Sequence, residues 1–341
     1  MSPIRGDVAG LVDVELTAAA IAGVQSLDGR IPWVPGGKAD PWNMVEAAMA
    51  LDSTGHHERA RAALGWLESR QLPHGGWYSY YMGDEVIDDA LDTNISTYVA
   101  VGVWHHFLAT GDMSVLQRHW RMVDAAMDHA VSQQFAWGGI AWRADDPSDG
   151  ALLTGSSSVH LSLRCAIAIA ARLGHARPEW EIALLLLADA IANRSDLFLD
   201  KQRWSMDWYY PILSGVIAGA EARARIDAGW ETFVVEGLGV RCVSDRPWVT
   251  AAETSELVLA LLVAGERERA EVLYSWVQFL RHDDGSYWCG MNFEGGRFDE
   301  PGEYFTADQP TWNSAAVVLA GQALAGVESV LGVFNPTSRP R

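Results

Sequence analysis

Lysine is almost absent from this chain: Lys38 and Lys201 are the two in 341 residues. Its 25 basic residues stand against 44 acidic ones, for a net charge of −19. A surface of that sign repels phosphodiesters and anionic headgroups, which argues against nucleic-acid and membrane partners. Cysteine is equally scarce. Cys165, Cys242 and Cys289 are odd in number and isolated, without C-x-x-C spacing, so neither a disulfide framework nor a thiolate metal site is expected. Long hydrophobic runs are missing too. The most apolar stretches, Ile182–Leu187 and Leu257–Ala264, are far shorter than a bilayer span requires. Met1–Gly10 carries no basic-then-apolar leader pattern, and the expected location is the cytoplasm. Nothing in the sequence speaks to oligomeric state.

What the chain does have is apolar mass and tryptophan. Apolar residues make up 49% and charged residues 20%, enough for a large core and unlike a disordered chain. Sixteen tryptophans supply broad flat faces, suited to a heavy core or to a groove that stacks rings. Strand-like alternation is rare, whereas helical spacing fills most of the chain. A turn motif recurs at Gln25–Ile31, Gln71–Trp77, Gln134–Ile140 and Arg281–Tyr287, with the form Q/R-x-x-x-G-x-(aromatic or Ile); Gln202–Trp208 is a copy without the glycine. Charged helices are expected near 13–25, 57–71, 115–134, 178–194, 220–234 and 267–281. Helices of small and apolar residues are expected near 42–52, 92–110, 156–174, 206–219, 250–264 and 309–326. The first set keeps a solvent stripe and the second is apolar all round, as an outer and an inner layer require. Six such pairs predict an all-α (α/α)6 toroid forming a single domain over residues 1–341. An open α-solenoid would need polar end caps.

The Q-x-x-x-G-x-W element resembles the repeat of squalene–hopene cyclases and protein prenyltransferase β-subunits, which are α/α toroids. Residues 39–43 (ADPWN), 204–211 (WSMDWYYP) and 236–245 (EGLGVRCVSD) resemble actinobacterial single-domain proteins labelled prenyltransferase-like, a group that takes in α-endomannosidases of methylmannose polysaccharide. The fold is implied over most of the chain; the repeat itself says little about chemistry. A class II cyclase would need Asp-x-Asp-Asp, which is absent, and Cys242 and Cys289 lack the Asp-x-Cys partner of a prenyltransferase zinc site. Residues 88–92 (DDALD) match the Asp-Asp-x-x-Asp of class I terpene synthases, without its companion metal motif or a cluster of cations for diphosphate.

In a toroid, the loops entering the inner helices line one mouth, where chemistry is expected. The six starts are Asp40–Asn43 with Glu46, Asp92–Asn94, Thr154–Ser158, Asp207–Tyr210, Trp248–Glu253 with Glu256, and Asp308–Trp312. Each carboxylate has a plainer reading. Asp40 before Pro41 is an N-cap, Asp92 and Asp308 read as caps, and Thr250–Glu253 reads as a capping box. Caps do not require Trp42, Trp208, Tyr209, Tyr210, Trp248 and Trp312 beside them, and Asp207 lies inside its helix. Ser156–Ser158 lack a nucleophile elbow. His105 and His106 read as satisfied core histidines. Arg241 and Asp245 either bind substrate or pair with each other.

Convergent carboxylates beside aromatic platforms are what glycoside hydrolysis needs: one protonates the leaving oxygen and the other activates water. The candidate acid is Glu253, whose neighbour Trp248 could raise a carboxyl pKa, and the candidate base is Asp40. Asp207 and Asp92 are alternatives for either role. Trp42, Asn43, Glu46, Asn94, Trp208, Tyr209, Tyr210, Arg241, Trp248 and Trp312 are the candidate substrate-binding residues. No metal or organic cofactor is implied. The resemblance implies an endo-acting α-mannosidase on a (methyl)mannan with an inverting mechanism, its partner being the oligosaccharide or polysaccharide substrate. Two alternatives stay open: an isoprenoid enzyme using the aromatics to cradle carbocations, and a non-catalytic glycan-binding toroid.

Overall fold

The computed structural model describes residues 13–298 and 307–334; Met1–Gly10, with their absence of a leader pattern, lie outside these. Asp13 caps the outer helix α1 (Val14–Val24) by accepting the Leu16 N–H. Asp40 caps the first inner helix, α2 (Pro41–Ser53), by accepting the Asn43 N–H at 2.9 Å, with Pro41 where no donor is needed. The outer α3 (His57–Arg70) buries one stripe, whereas α2 is buried from Met44 through Asp52. The second inner helix comes in two pieces, α4 (Thr93–Thr97) and α5 (Val99–Thr110). Outer α6 (Met113–Val131), inner α7 (Leu153–Leu173), outer α8 (Pro178–Asn193) and inner α9 (Ser205–Leu213) continue the alternation. Outer α10 (Gly219–Phe233), inner α11 (Ala251–Val263), outer α12 (Arg267–Val277) and inner α13 (Thr311–Leu324) complete it.

The inner helices form a closed ring: α2 packs on α5, α5 on α7, α7 on α9, α9 on α11, α11 on α13, and α13 returns to α2. The outer helices cover them, so the fold is the (α/α)6 toroid that the repeat predicts. A last helix, α14 (Glu328–Phe334), packs on α5, α13 and α2. Among the described residues, no single helix is long and apolar enough to cross a membrane.

The recurrent glutamine is a clip. Gln71 Nε2 donates to the Gly75 carbonyl of its own turn at 2.9 Å and to the Met122 carbonyl of α6 at 2.8 Å. Gln25 does the same to Gly29 and Arg59, and Gln134 to Gly138 and Ala183. Each clip therefore ties the end of one outer helix to the body of the next. Gly75 has φ +98°, and a Cβ there would stand 2.1 Å from the Ala125 carbonyl oxygen, so the close approach excludes any side chain. Gly285, in the copy led by Arg281, lies in the same way against Leu16 of α1, which carries the outer ring across its seam.

Three inner helices differ from their expected bounds. The fourth inner helix stops at Leu213 rather than near 219, because Pro211 removes a donor and Gly215 turns left-handed at φ +81°. The third starts at Leu153, three residues early, and the sixth at Thr311 rather than 309. Strands form where none were expected: β1 (Tyr80–Met82) pairs antiparallel with β2 (Glu85–Asp88). A second antiparallel sheet runs in the order β3 (Val234–Val235), β4 (Gly239–Arg241), β5 (Trp248–Thr250), β6 (Gly290–Asn292). Strand β5 runs directly into α11 and so aims Glu253.

Replacing Gln71 with Ala is expected to cost about 1–3 kcal/mol, since two carbonyls lose their shared donor. Gln202, exposed in the degenerate copy, should tolerate Ala within about 0.5 kcal/mol. Urea unfolding of the two variants decides it; equal midpoints would refute the clip.

Candidate active site

Four inner-helix starts bring carboxylates to the mouth. Asp40, 2% exposed, accepts Trp33 Nε1 at 2.6 Å and Asn43 Nδ2 at 2.7 Å on Oδ2, and the Asn43 N–H on Oδ1. Asp92 repeats this arrangement at the next inner helix: it accepts the Ile95 N–H at 2.9 Å and Trp142 Nε1 at 2.7 Å. Burial raises both carboxyls above the usual range, Asp92 to about 6, where the Asp40 charge adds to the effect. Asp207, also pushed up by burial, accepts the Thr154 N–H at 3.2 Å and the Thr154 hydroxyl. Glu253 is 9% exposed and accepts the Thr250 hydroxyl on Oε2.

A second tier lies one to two turns deeper. Glu46 accepts the Tyr98 hydroxyl at 2.7 Å, and Glu256 accepts the hydroxyls of both Tyr209 and Tyr210. Burial lifts Glu46 to about 7 and Glu256 to about 8; the charges of Glu46 and Glu253 push Glu256 further in the same direction. Tyr98 stacks on Trp42, with centroids 4.6 Å apart, and the Trp42 indole reaches across to Ser158 at 3.2 Å. Trp42, Asn43, Glu46, Tyr209 and Tyr210 thus gather with the carboxylates of α2 and α11. Lys38 lies over the rings of Trp33 and Tyr80, at 4.0 and 4.1 Å, and its charge acts on Asp40.

Other expected residues sit elsewhere. Trp208 turns outward, donating to the Arg225 carbonyl at 2.7 Å and stacking on Phe233, because its side of α9 faces α10. Trp248 is wholly buried beside Cys242 and Cys289, with Trp312 packed on them and edge-on to Trp33. Arg241 donates to the Ser244 carbonyl and lies over Phe293, while Asp245 pairs with Arg203 at 2.7 Å, so the Arg241–Asp245 pair does not form. Asn94 keeps a buried Oδ1 without a hydrogen bond. Asp308 does not cap α13, whose N-cap is Pro310. The Thr250–Glu253 capping box is replaced by the bond between their side chains. His105 and His106 sit in the core around Asp52: His106 Nδ1 lies 2.8 Å and His105 Nδ1 3.8 Å from its carboxylate. Asp88 and Asp92 accept N–H groups of different segments, Ala90 and Ile95.

Trp33, Lys38, Tyr98 and Trp142 were missed as site residues. Tyr98 carries a readable signal: it stands six residues after Asp92, as Glu46 stands six after Asp40, and these equivalent positions bond to each other. The two tryptophans occupy loops of different lengths and leave no common spacing.

No family model matches the chain. An MMP endo-(1,4)-3-O-methyl-α-D-mannosidase from Mycolicibacterium hassiacum is 45% identical over 328 residues, 95% of this chain and 89% of that protein. The chain belongs to this endomannosidase family. Among solved structures, a wild-type glycosidase matches with TM-score 0.74 at 14% identity, covering 98% of this chain and 100% of that one. A D-mannose isomerase matches with TM-score 0.68 at 12% identity, over 93% and 99% of the respective chains. A rhamnosidase from Klebsiella oxytoca matches with TM-score 0.62 at 16% identity, covering 90% of this chain and 64% of that one. At such identities these matches speak for the toroid alone.

The deep carboxyls of this family member give its stability a pH dependence of definite sign. Their folded pKa values, about 7 for Glu46 and about 8 for Glu256, lie above the ordinary 4.5, so the folded state binds more protons between those values. Stability is full below about pH 4.5 for these groups and falls as pH rises through 7 and 8. Glu256→Gln removes one of the two contributions. Its melting temperature should fall less steeply than the wild type's between pH 5 and 9; parallel curves would refute the assignment.

Proposed function

We propose that this chain is an endo-acting α-mannosidase of methylated mannan, with Glu253 as general acid and Asp40 as general base of an inverting reaction. The observation that carries the residue assignment is the environment of Asp40. Three donors fix its carboxylate, two on Oδ2 and one on Oδ1. A carboxylate offers about four acceptor sites, which leaves one for a water molecule. The kinship with the Mycolicibacterium hassiacum mannosidase supports the substrate class.

The chemistry follows from these groups. Glu253 donates its proton to the glycosidic oxygen as the bond to the anomeric carbon breaks. Asp40 takes a proton from the water that attacks the opposite face, and the product anomer is inverted. Burial makes Asp40 more basic than an exposed aspartate, which suits a base, while the donors Asn43 and Trp33 and the Lys38 charge act in the opposite direction. Thr250 orients Glu253 through its hydroxyl. Trp42 and Tyr98 offer a stacked aromatic wall for a sugar face. Asp92, which shares the design of Asp40, is placed to bind sugar hydroxyls. We place the protein in the cytoplasm, in line with its odd, widely spaced cysteines.

Asp40→Asn and Glu253→Gln should each lower kcat on a methylmannose oligosaccharide by about 10²–10⁴-fold. Proton NMR of the first product formed should show the β-anomer from an α-linked substrate. Unimpaired turnover in either variant would remove that residue from its role, and an α-product would replace inversion by retention.

A further inference from the structure

The β1–β2 hairpin carries apolar side chains where burial offers them nothing. Met82, Val86 and Ile87 are 40%, 38% and 45% exposed, and β2 is exposed at every residue. The hairpin is nevertheless firmly held. Ala39 and Tyr81 exchange backbone bonds at 2.8 and 2.9 Å, Ser79 binds the Ala90 carbonyl through both its N–H and its hydroxyl, and Arg70 pairs with Asp84 at the tip. A held strand that exposes valine and isoleucine side by side offers a small apolar contact surface. Beside it lies an open recess of about 500 Å³ lined by Tyr78, Val86, Ile87, Asp88 and Asp89.

The chemistry of this lining is selective. Two carboxylates repel phosphate and other anions but accept hydrogen bonds from hydroxyls. Val86 and Ile87 offer only apolar contact, and Tyr78 offers a half-buried ring. A neutral ring bearing both hydroxyls and a methyl ether fits that combination. The location fits as well, because the hairpin bridges the first two inner-helix starts. Tyr81 pairs with Ala39, the residue before Asp40, and three residues connect Asp88 to Asp92.

We propose that this open recess at the rim is a distal sugar subsite, in which Val86 and Ile87 contact the O-methyl group of a mannose residue while Asp88 and Asp89 accept its hydroxyl protons. The inference rests on the mannan reading above and adds to it the place where methylation is recognised. A buried methyl group is worth about fourfold in affinity. Replacing both apolar residues (Val86→Ser with Ile87→Ser) should therefore weaken binding of 3-O-methylmannose oligosaccharides by about four- to fifteenfold. Binding of the unmethylated α-(1,4)-mannose oligosaccharides should change less than twofold.

Titration calorimetry in the Asp40→Asn background measures both affinities without turnover, and circular dichroism of the same samples checks that the hairpin variant is folded. Loss confined to the methylated ligand supports the subsite. Equal loss for both ligands, or no loss, overturns it while leaving the enzyme's function intact. Cleavage assays on the wild-type chain run alongside; if it cleaves neither oligosaccharide, the mannosidase reading fails and the subsite with it.

Discussion

The seam between the sixth and first inner helices is the constraint on which the rest depends. Thr311 donates its backbone N–H to the Trp33 carbonyl at 2.7 Å and its hydroxyl to the Pro32 carbonyl at 2.8 Å. At the opposite ends of the same helices, Gln322 donates to the Ser53 carbonyl at 2.7 Å. These bonds join residues more than 260 positions apart in sequence, so no local preference can form them. They form because five preceding helix pairs have already turned the chain through most of a circle. Closure in turn fixes Trp33, whose carbonyl meets Thr311 and whose indole holds Asp40. The base of the proposed reaction is thus held by the same residue that closes the ring.

Closure also sets the electrostatics. In an open arc the mouth of α2 would face water, and Asp40, Glu46 and Glu256 would keep ordinary carboxylate behaviour. Inside the ring they lose hydration, and each must be met by donors or hold its proton. The upper tier is met mostly by indole and backbone N–H groups, the lower tier by tyrosine hydroxyls. Indole N–H is a donor that never ionises, so it stabilises a carboxylate at any pH. A phenol can both donate and accept, and it therefore suits Glu46 and Glu256, which carry protons near neutrality.

The architecture was legible because it is periodic. A motif recurring four times with a fixed glycine position predicts a repeated turn, and the clip bonds supply the reason for its glutamine. The carboxylates at the starts were legible for the same reason, since they fall at equivalent places in successive repeats. Side-chain direction was not. Trp208 and Tyr209 are neighbours in sequence, yet one faces α10 and the other the axis, because adjacent helical residues point about 100° apart. Which of them looks inward depends on the register of α9, which a nine-residue helix shows too briefly to read from spacing. The sheet of β3–β6 escaped notice because strands of two or three residues are too short to show alternation, although β5 is what sets the approach to Glu253.

Capping and catalysis are compatible at Asp40, and the geometry shows why. A cap uses a single lone pair of one oxygen, on the Asn43 N–H. The constraint this imposes is rotational: with Oδ1 tied to the backbone, and Oδ2 tied by Trp33 and the Asn43 amide, the carboxylate plane cannot swing. A base used in attack on an anomeric centre needs that fixed aim more than it needs all its lone pairs, since misplacement by about 1 Å can cost a hundredfold in rate. Asp92 has the same cap and the same kind of indole donor, but the two differ in what lies beneath them. Below Asp40 on its own helix stands Glu46, a carboxyl whose charge acts on Glu256; at the equivalent place below Asp92 stands Tyr98, which donates to Glu46. The repeat thus supplies two copies of one anion holder, and the residue six positions further on sets them apart.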